Sequence, residues 1–101
     1  MGLETSKVTK GVPHIPPGTT PYEAIYLLVI HYTDLPGVPD IDRYRRIEEP
    51  KQGRCAFRGC SEPIAWEDDK GRNFLCDGHY QAIREWIRSA RAGHLPLPAR
   101  Q

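Results

Sequence analysis

Residues 54–93 read RCAFRGCSEPIAWEDDKGRNFLCDGHYQAIREWIRSARAG and hold all three cysteines of the chain. Four residues separate Cys55 from Cys60, fifteen more lead to Cys76, and two separate Cys76 from His79. Two close pairs of sulfur and nitrogen ligands suit a tetrahedral structural zinc ion, because each pair can occupy one edge of the tetrahedron. The sequence therefore predicts one structural Zn²⁺ held by Cys55, Cys60, Cys76 and His79.

Other uses of the three cysteines fit this pattern less well. An odd number of cysteines leaves one thiol outside any disulfide framework. The first ten residues contain no apolar segment of the kind that directs secretion, so we expect a cytoplasmic, intracellular protein, the nucleoid included. A redox-active pair with a third free thiol remains the alternative. Catalytic zinc is disfavoured, because such sites keep an open position and four ligands fill every position.

Length and charge limit the size of the domain and the kinds of partner that we expect. At 101 residues the chain is one small domain, for which a metal ion is a common source of stability. Residues 1–50 hold five Lys/Arg against seven Asp/Glu, and residues 51–101 hold nine against six, so the two halves carry −2 and +3. This mild basicity of the second half is weak support for a nucleic-acid partner.

The chain divides into five predicted segments. They are a flexible arm (1–19), a hydrophobic helix (20–33), a Pro/Gly-containing connector (34–53), a zinc finger (54–93) and a C-terminal tail (94–101). The helix start is well signalled, because Thr20, Pro21 and Glu23 fit the N-cap, first and third positions of a capping box. The residue types that follow also suit a strand, but the capping signals favour a helix.

This helix would be apolar nearly all round, which makes it a candidate interface. We assign one side to the internal core: Ile25, Leu28, Val29 and Tyr32. We expect Tyr26, Leu27 and Ile30 on the other side to stay partly exposed and to contact a protein partner or a second copy of the chain. A fully buried core helix is the simpler interpretation, but this chain is short to surround one. About twelve residues are too few to span a membrane.

The connector contains one further candidate element. Asp40–Glu49 could form a short helix with its arginines opposite its apolar residues. Those arginines, Arg43, Arg45 and Arg46, are better explained as a solvated face than as a binding site.

The zinc-binding stretch has a recognisable order of elements. Ile64–Glu67 and 72–75 flank a polar turn and predict a β-hairpin, and a helix is expected from Cys76 to about Ala92, with Gly93 as its stop. Knuckle, hairpin and a helix that supplies the last two ligands resemble the treble-clef group of zinc fingers over about forty residues. The four-residue spacer of the first pair departs from the group's common two. The resemblance implies a structural Cys3His site and a binding role, within a small α+β domain.

The predicted finger helix also carries a basic stripe. At about 100° per residue, Arg84, Arg88 and Arg91 fall in one narrow arc, away from the arc that faces the hairpin. Three stacked guanidiniums could contact adjacent phosphates or the carboxylates of an acidic protein. Glu85 lies outside this arc and is not expected to neutralise it. A solvated face that keeps the finger soluble is the equally simple alternative.

Nothing in the sequence indicates catalysis. The three serines lack a nucleophile-elbow context, and only one set of four metal ligands exists, which excludes a two-zinc ubiquitin-ligase module. We therefore expect a non-enzymatic regulatory protein with no small-molecule substrate. Its predicted partner is DNA, RNA or a protein of nucleic-acid metabolism; the alternative is a protein-protein adaptor that docks its hydrophobic helix, with possible homodimers.

Overall fold

A computed structural model describes residues 14–96 of the chain. In chain order it contains α1 (Pro21–Tyr32), a 3-10 turn (Ile41–Arg43), β1 (Arg45–Lys51), β2 (Ile64–Glu67), β3 (Phe74–Cys76) and α2 (Asp77–Arg91). This is a small α+β domain with two helices and a three-stranded antiparallel sheet. Much of the predicted arm and tail, residues 1–13 and 97–101, lies outside the described residues.

Helix α1 begins as its capping signals predict. The Thr20 hydroxyl accepts a hydrogen bond from the Glu23 amide at 3.2 Å, and the Glu23 carboxylate accepts one from the Thr20 amide at 3.1 Å. Both orphan amides of the helix start are thus satisfied, which confirms the capping box. Within residues 14–96, neither helix has the length and apolar character needed to cross a membrane.

The predicted hairpin is present as β2 and β3. The two strands are antiparallel, and Asp68 holds the turn between them by accepting hydrogen bonds from the Arg72 amide at 2.7 Å and the Asn73 side chain at 3.1 Å. Partial desolvation acts to raise the pKa of Asp68, but these hydrogen bonds outweigh it and keep that pKa below its ordinary value. The carboxylate therefore serves the turn.

The short helix predicted over Asp40–Glu49 is wrong. Only Ile41–Arg43 form a helical turn, and β1 follows as an edge strand that pairs with β2. Pairing with a strand thirteen or more residues away overrides the local helical pattern, since sheet contacts are not visible in the local sequence. The arginines of this segment form exposed ion pairs, with Asp40 and Asp69 for Arg43, Glu67 for Arg45 and Asp77 for Arg46.

The hydrophobic core lies where both helices meet the sheet and the first metal-ligand loop. Helix α1 buries the four residues assigned to its core side. Helix α2 buries five residues, Tyr80, Ile83, Trp86, Ile87 and Ala90. Between them lie Phe57, Ile64 and Leu75, each at most 2% exposed. Because this core reaches the ligand loop directly, packing of the helices and geometry of the site depend on each other.

Candidate metal centre

Two separate parts of the chain bring the four predicted ligands together. Cys55 and Cys60 lie in the loop that precedes β2, and Cys76 and His79 lie where β3 passes into α2. Cys76 is the N-cap of α2, and its sulfur accepts a hydrogen bond from the His79 amide at 3.4 Å. The cap therefore sets the last two ligands on the same helix end, where an anionic sulfur is favoured by the helix dipole.

The ligand atoms form one compact cluster. Their sulfur and nitrogen atoms all lie within 4.8 Å of one another. The Cys60 and Cys76 sulfurs are 3.8 Å apart, and His79 Nδ1 lies 3.6 Å from the Cys55 sulfur and 3.2 Å from the Cys76 sulfur. A zinc tetrahedron with Zn–S of about 2.3 Å and Zn–N of about 2.0–2.1 Å has S···S edges of about 3.8 Å and S···N edges of about 3.5 Å. The four residues could therefore hold one metal ion.

The first ligand loop is shaped by its backbone. Gly59 has a φ of +77°, a conformation that side chains with a Cβ disfavour, and the Cys60 amide donates to the Phe57 carbonyl at 3.2 Å. The Ala56 amide donates to Phe74 in β3 at 2.8 Å, which attaches the loop to the sheet. The Cys55 sulfur in turn accepts a hydrogen bond from the Cys76 amide at 3.4 Å. Amide-to-sulfur hydrogen bonds of this kind orient and stabilise metal-bound thiolates.

Burial favours the neutral forms of the candidate ligands. Burial raises the pKa of Cys55, and it raises the pKa of Cys76 to about 12 with a contribution from the other two thiols. Burial also lowers the pKa of His79, which favours the neutral imidazole that binds metals. Protein surroundings alone thus disfavour thiolates, and a divalent cation reverses that preference because it deprotonates a coordinating thiol outright.

Aromatic side chains flank the ligands on both sides, and no pattern in the sequence indicates this packing. Phe57, between the first two ligands, stacks on the His79 ring with centroids 3.8 Å apart. On the other side Trp66 stacks on Tyr80 at 3.6 Å and donates a hydrogen bond to Asp77 at 3.0 Å. These contacts join residues eleven to twenty-two positions apart in the chain, so no local pattern announces them.

The basic stripe on α2 is less free than the sequence suggested. Arg88 forms an ion pair with Glu85 at 3.1 Å, so the expectation that Glu85 leaves the stripe unneutralised is wrong. The two residues are three apart on a helix, where long side chains reach each other across adjacent arcs. Arg91 lies 3.9 Å from Asp42, whereas Arg84 has no ion pair among residues 14–96. All three guanidinium-bearing residues remain exposed.

The outer side of α1 carries an exposed apolar stripe. Tyr22, Tyr26 and Ile30 are 51%, 46% and 41% exposed and stand four residues apart, so they form one ridge along the helix. Leu27 is half-buried at its edge, and Val38 is 39% exposed. We call Tyr22, Tyr26 and Ile30 the α1 stripe. Because these side chains are exposed, the predicted role of this side of α1 as a protein interface can be tested by substitution.

No protein-family model, curated protein or solved structure matches this chain. The class of protein is therefore defined by the fold and the ligand cluster alone. They define a small α+β domain with a Cys3His cluster that is compatible with one zinc ion.

Proposed function

We propose that the protein is a non-enzymatic zinc-finger protein of the treble-clef kind, with one structural Zn²⁺. The ligand cluster supports this proposal, because the Cys60–Cys76 sulfur-to-sulfur distance of 3.8 Å and the Cys55–His79 sulfur-to-Nδ1 distance of 3.6 Å are close to the edges of a zinc tetrahedron. Four protein ligands leave no open position for a substrate. The order of ligand loop, hairpin and helix is that of the treble-clef group.

Metal content tests this part directly. Protein purified without added metal should contain about one zinc per chain by elemental analysis and by native mass spectrometry. Chelation should remove the near-UV circular dichroism of the two tryptophans, Trp66 and Trp86, which both pack next to the site. A metal-free protein that keeps this signal and joins two of its cysteines in a disulfide would refute the zinc proposal.

We further propose that the zinc-stabilised domain is an adaptor that docks the α1 stripe on a protein partner. The single supporting observation is the exposed ridge of three large side chains on a domain of this size. Burying one such side chain contributes about 1.5–3 kcal/mol, so three of them along one ridge favour a groove on another protein. Leu27, which is half-buried, lies at the edge of this ridge.

A double substitution on the stripe tests the adaptor role. Tyr26→Gln with Ile30→Lys should abolish capture of the partner from the native host and any self-association seen by light scattering. Zinc content and the unfolding midpoint should stay close to those of the unchanged protein, since both side chains are exposed. A matched control, Arg84→Gln with Glu85→Gln on α2, should leave capture unchanged. Unfolding of the stripe variant would assign these residues to the core instead.

Nucleic-acid binding through α2 is the second candidate. Arg84, Arg88 and Arg91 lie along one exposed helix face, and the ion pairs of the last two are between groups that are 62–79% exposed. Such exposed pairs contribute little stability, so phosphates of DNA or RNA, or carboxylates of a nucleic-acid-processing protein, can replace their acidic partners. Arg84, with no ion pair in residues 14–96, is the residue best placed for a first contact.

Salt dependence distinguishes the two candidates. Three phosphate contacts should give a slope of about −2 to −3 in a plot of log affinity against log salt. Arg84→Gln should reduce that slope by about one, whereas Arg54→Gln, which removes an equal charge from the ligand loop, should not. Absence of binding to both DNA and RNA at about 50 mM salt in a mobility-shift assay would exclude this candidate.

A further inference from the structure

The C-terminal end of α1 is attached to the loop between the first two metal ligands. The Arg58 amide donates to the Tyr32 carbonyl at 2.9 Å, and the Asp34 amide donates to the Ala56 carbonyl at 3.1 Å. Thr33 and Phe57 form an antiparallel bridge at the same place. The backbone that leaves α1 is thus hydrogen-bonded to the backbone that runs from Cys55 to Cys60.

The Arg58 side chain reinforces this attachment. Its Nη1 donates to the His31 carbonyl at 2.9 Å and lies 3.4 Å from the Ile30 carbonyl, while its Nε donates to the Asp34 carboxylate at 2.9 Å. The last carbonyls of a helix have no partner within the helix, and a cation next to them complements the helix dipole. Arg58 therefore caps α1 from a loop that lies 26 positions after the end of the helix.

Helix α1 holds part of this end itself, because the amide and hydroxyl of its C-cap Thr33 both donate to the Val29 carbonyl, at 2.9 and 2.7 Å. Thr33 is extended and the glycine that commonly ends a helix is missing, and the Ile30 and His31 carbonyls that follow are reached by Arg58 from the ligand loop. A helix of twelve residues is marginal in water and depends on tertiary contacts. The order of its last turn, which includes Ile30 of the α1 stripe, thus depends on the ligand loop.

The shape of that loop depends in turn on the metal site. Its two ends are the ligands Cys55 and Cys60, and Phe57 between them stacks on the ligand His79. A metal ion that joins these ligands fixes both ends of the segment carrying Arg58. Without that constraint, the contacts that remain are the Ala56 hydrogen bond to β3, the packing of Phe57, the Cys76 amide on the Cys55 sulfur and the backbone hydrogen bonds to the end of α1.

We infer that Arg58 couples the metal site to α1, so that zinc binding and the order of the helix end stabilise each other. The α1 stripe is then complete only in the metal-loaded protein, and docking through it depends on metal occupancy. Thermodynamic linkage is reciprocal: the factor by which bound zinc favours the ordered helix end is also the factor by which the ordered helix end strengthens zinc binding. This inference rests on the proposed zinc site.

The test compares Arg58→Met with Arg54→Met in the full-length, zinc-loaded protein. Arg54 immediately precedes this loop and also pairs with Asp34, at 3.7 Å, but its side chain is 88% exposed and no α1 carbonyl is among its hydrogen-bond partners in the described residues. Hydrogen-deuterium exchange reports on the amides of residues 29–35, and competition with a chelator reports on zinc affinity. Arg58→Met should speed that exchange about tenfold and weaken zinc binding about tenfold, and Arg54→Met should change neither more than about twofold.

Each outcome has a defined meaning. If the unchanged protein takes up no zinc, the zinc site itself is refuted. If it takes up one zinc and Arg58→Met retains its affinity, the coupling alone is refuted, whatever happens to exchange. Arg58→Lys keeps the charge but not the forked donors, so its amide exchange and zinc affinity should lie between those of the unchanged protein and those of Arg58→Met. Should Arg58→Met fail to fold, Arg58→Lys decides: wild-type values in both measurements would overturn the inference.

Discussion

The ring of Phe57 lies face to face on the ring of His79, with planes 4° from parallel and centroids 3.8 Å apart. Phe57 is 2% exposed, and its other neighbours include Tyr32 of α1 and Trp86 of α2, at 6.4 and 6.2 Å between centroids. One side chain thus orients a metal ligand and connects it to both helices. Site geometry and core packing are therefore not independent in this domain.

Replacing Phe57 should consequently affect both stability and metal binding. Phe57→Ala should lower the free energy of unfolding of the zinc-loaded protein by about 3–5 kcal/mol, the usual cost of removing a buried phenyl ring. Zinc affinity should fall as well, because the His79 ring loses its support. Urea unfolding and chelator competition measure the two effects. Tyr22→Ala, at a 51% exposed position, should change stability by less than about 0.5 kcal/mol.

Zinc binding should release protons. Burial raises the pKa of Cys55 and raises that of Cys76 to about 12, so both thiols are protonated at pH 7 until a metal displaces the protons. Binding should therefore release at least two protons per zinc, and the apparent affinity should fall about 100-fold for each unit by which the pH is lowered. Burial lowers the pKa of His79, so its imidazole is neutral at pH 7 and adds no proton to this count.

Titration with zinc in weakly buffered solution containing a pH indicator measures this release. Calorimetry in buffers of different ionisation enthalpy gives an independent count. Release of fewer than one proton per zinc at pH 7 would show that the thiols are already ionised, contrary to their burial.

Gly59 should be intolerant of substitution for a purely backbone reason. Its φ is +77°, and a Cβ added there would meet no atom within 4 Å, so any cost comes from conformation and not from a clash. Gly59→Ala should lower the free energy of unfolding by about 1–2 kcal/mol. Gly78 is the matched control, because it has equal space and no positive φ. Gly78→Ala in α2 should be neutral or stabilise by up to about 1 kcal/mol, and equal losses at the two sites would contradict this account.

The capping box of α1 should be measurable in isolation. Thr20→Ala removes the hydroxyl that accepts from the Glu23 amide and should cost about 0.5–2 kcal/mol of stability. Thermal unfolding of the zinc-loaded protein would show this as a lower midpoint. Glu23→Gln retains a side-chain oxygen that can accept from the Thr20 amide and should cost only a few tenths of a kcal/mol. A loss in Glu23→Gln as large as in Thr20→Ala would mean that charge, not the hydrogen bond, stabilises this helix start.

Some parts of the fold follow from local sequence. Thr20, Pro21 and Glu23 predict where α1 begins, and Cys76 and His79 predict both a ligand pair and a helix start. The hairpin follows from a polar turn between two apolar runs. These predictions hold because capping, turn formation and ligand spacing involve residues only a few positions apart.

Other parts required the tertiary structure. The edge strand β1 in the predicted connector exists because it pairs with β2, and a local helical pattern yields to that pairing. The Glu85–Arg88 ion pair, by contrast, joins residues three apart on α2 and needs only the helix to form.

By itself, the sequence identified the four candidate ligands, the two helices and the hairpin, because their signals lie within a few residues of one another. The tertiary structure alone decided that Phe57 supports His79 and that Arg58 caps α1. Those contacts join residues 22 and 26–28 positions apart, and only the folded chain brings them within reach. The first ligand loop therefore carries two candidate metal ligands, which the sequence indicates, and anchors the end of α1, which only the fold shows.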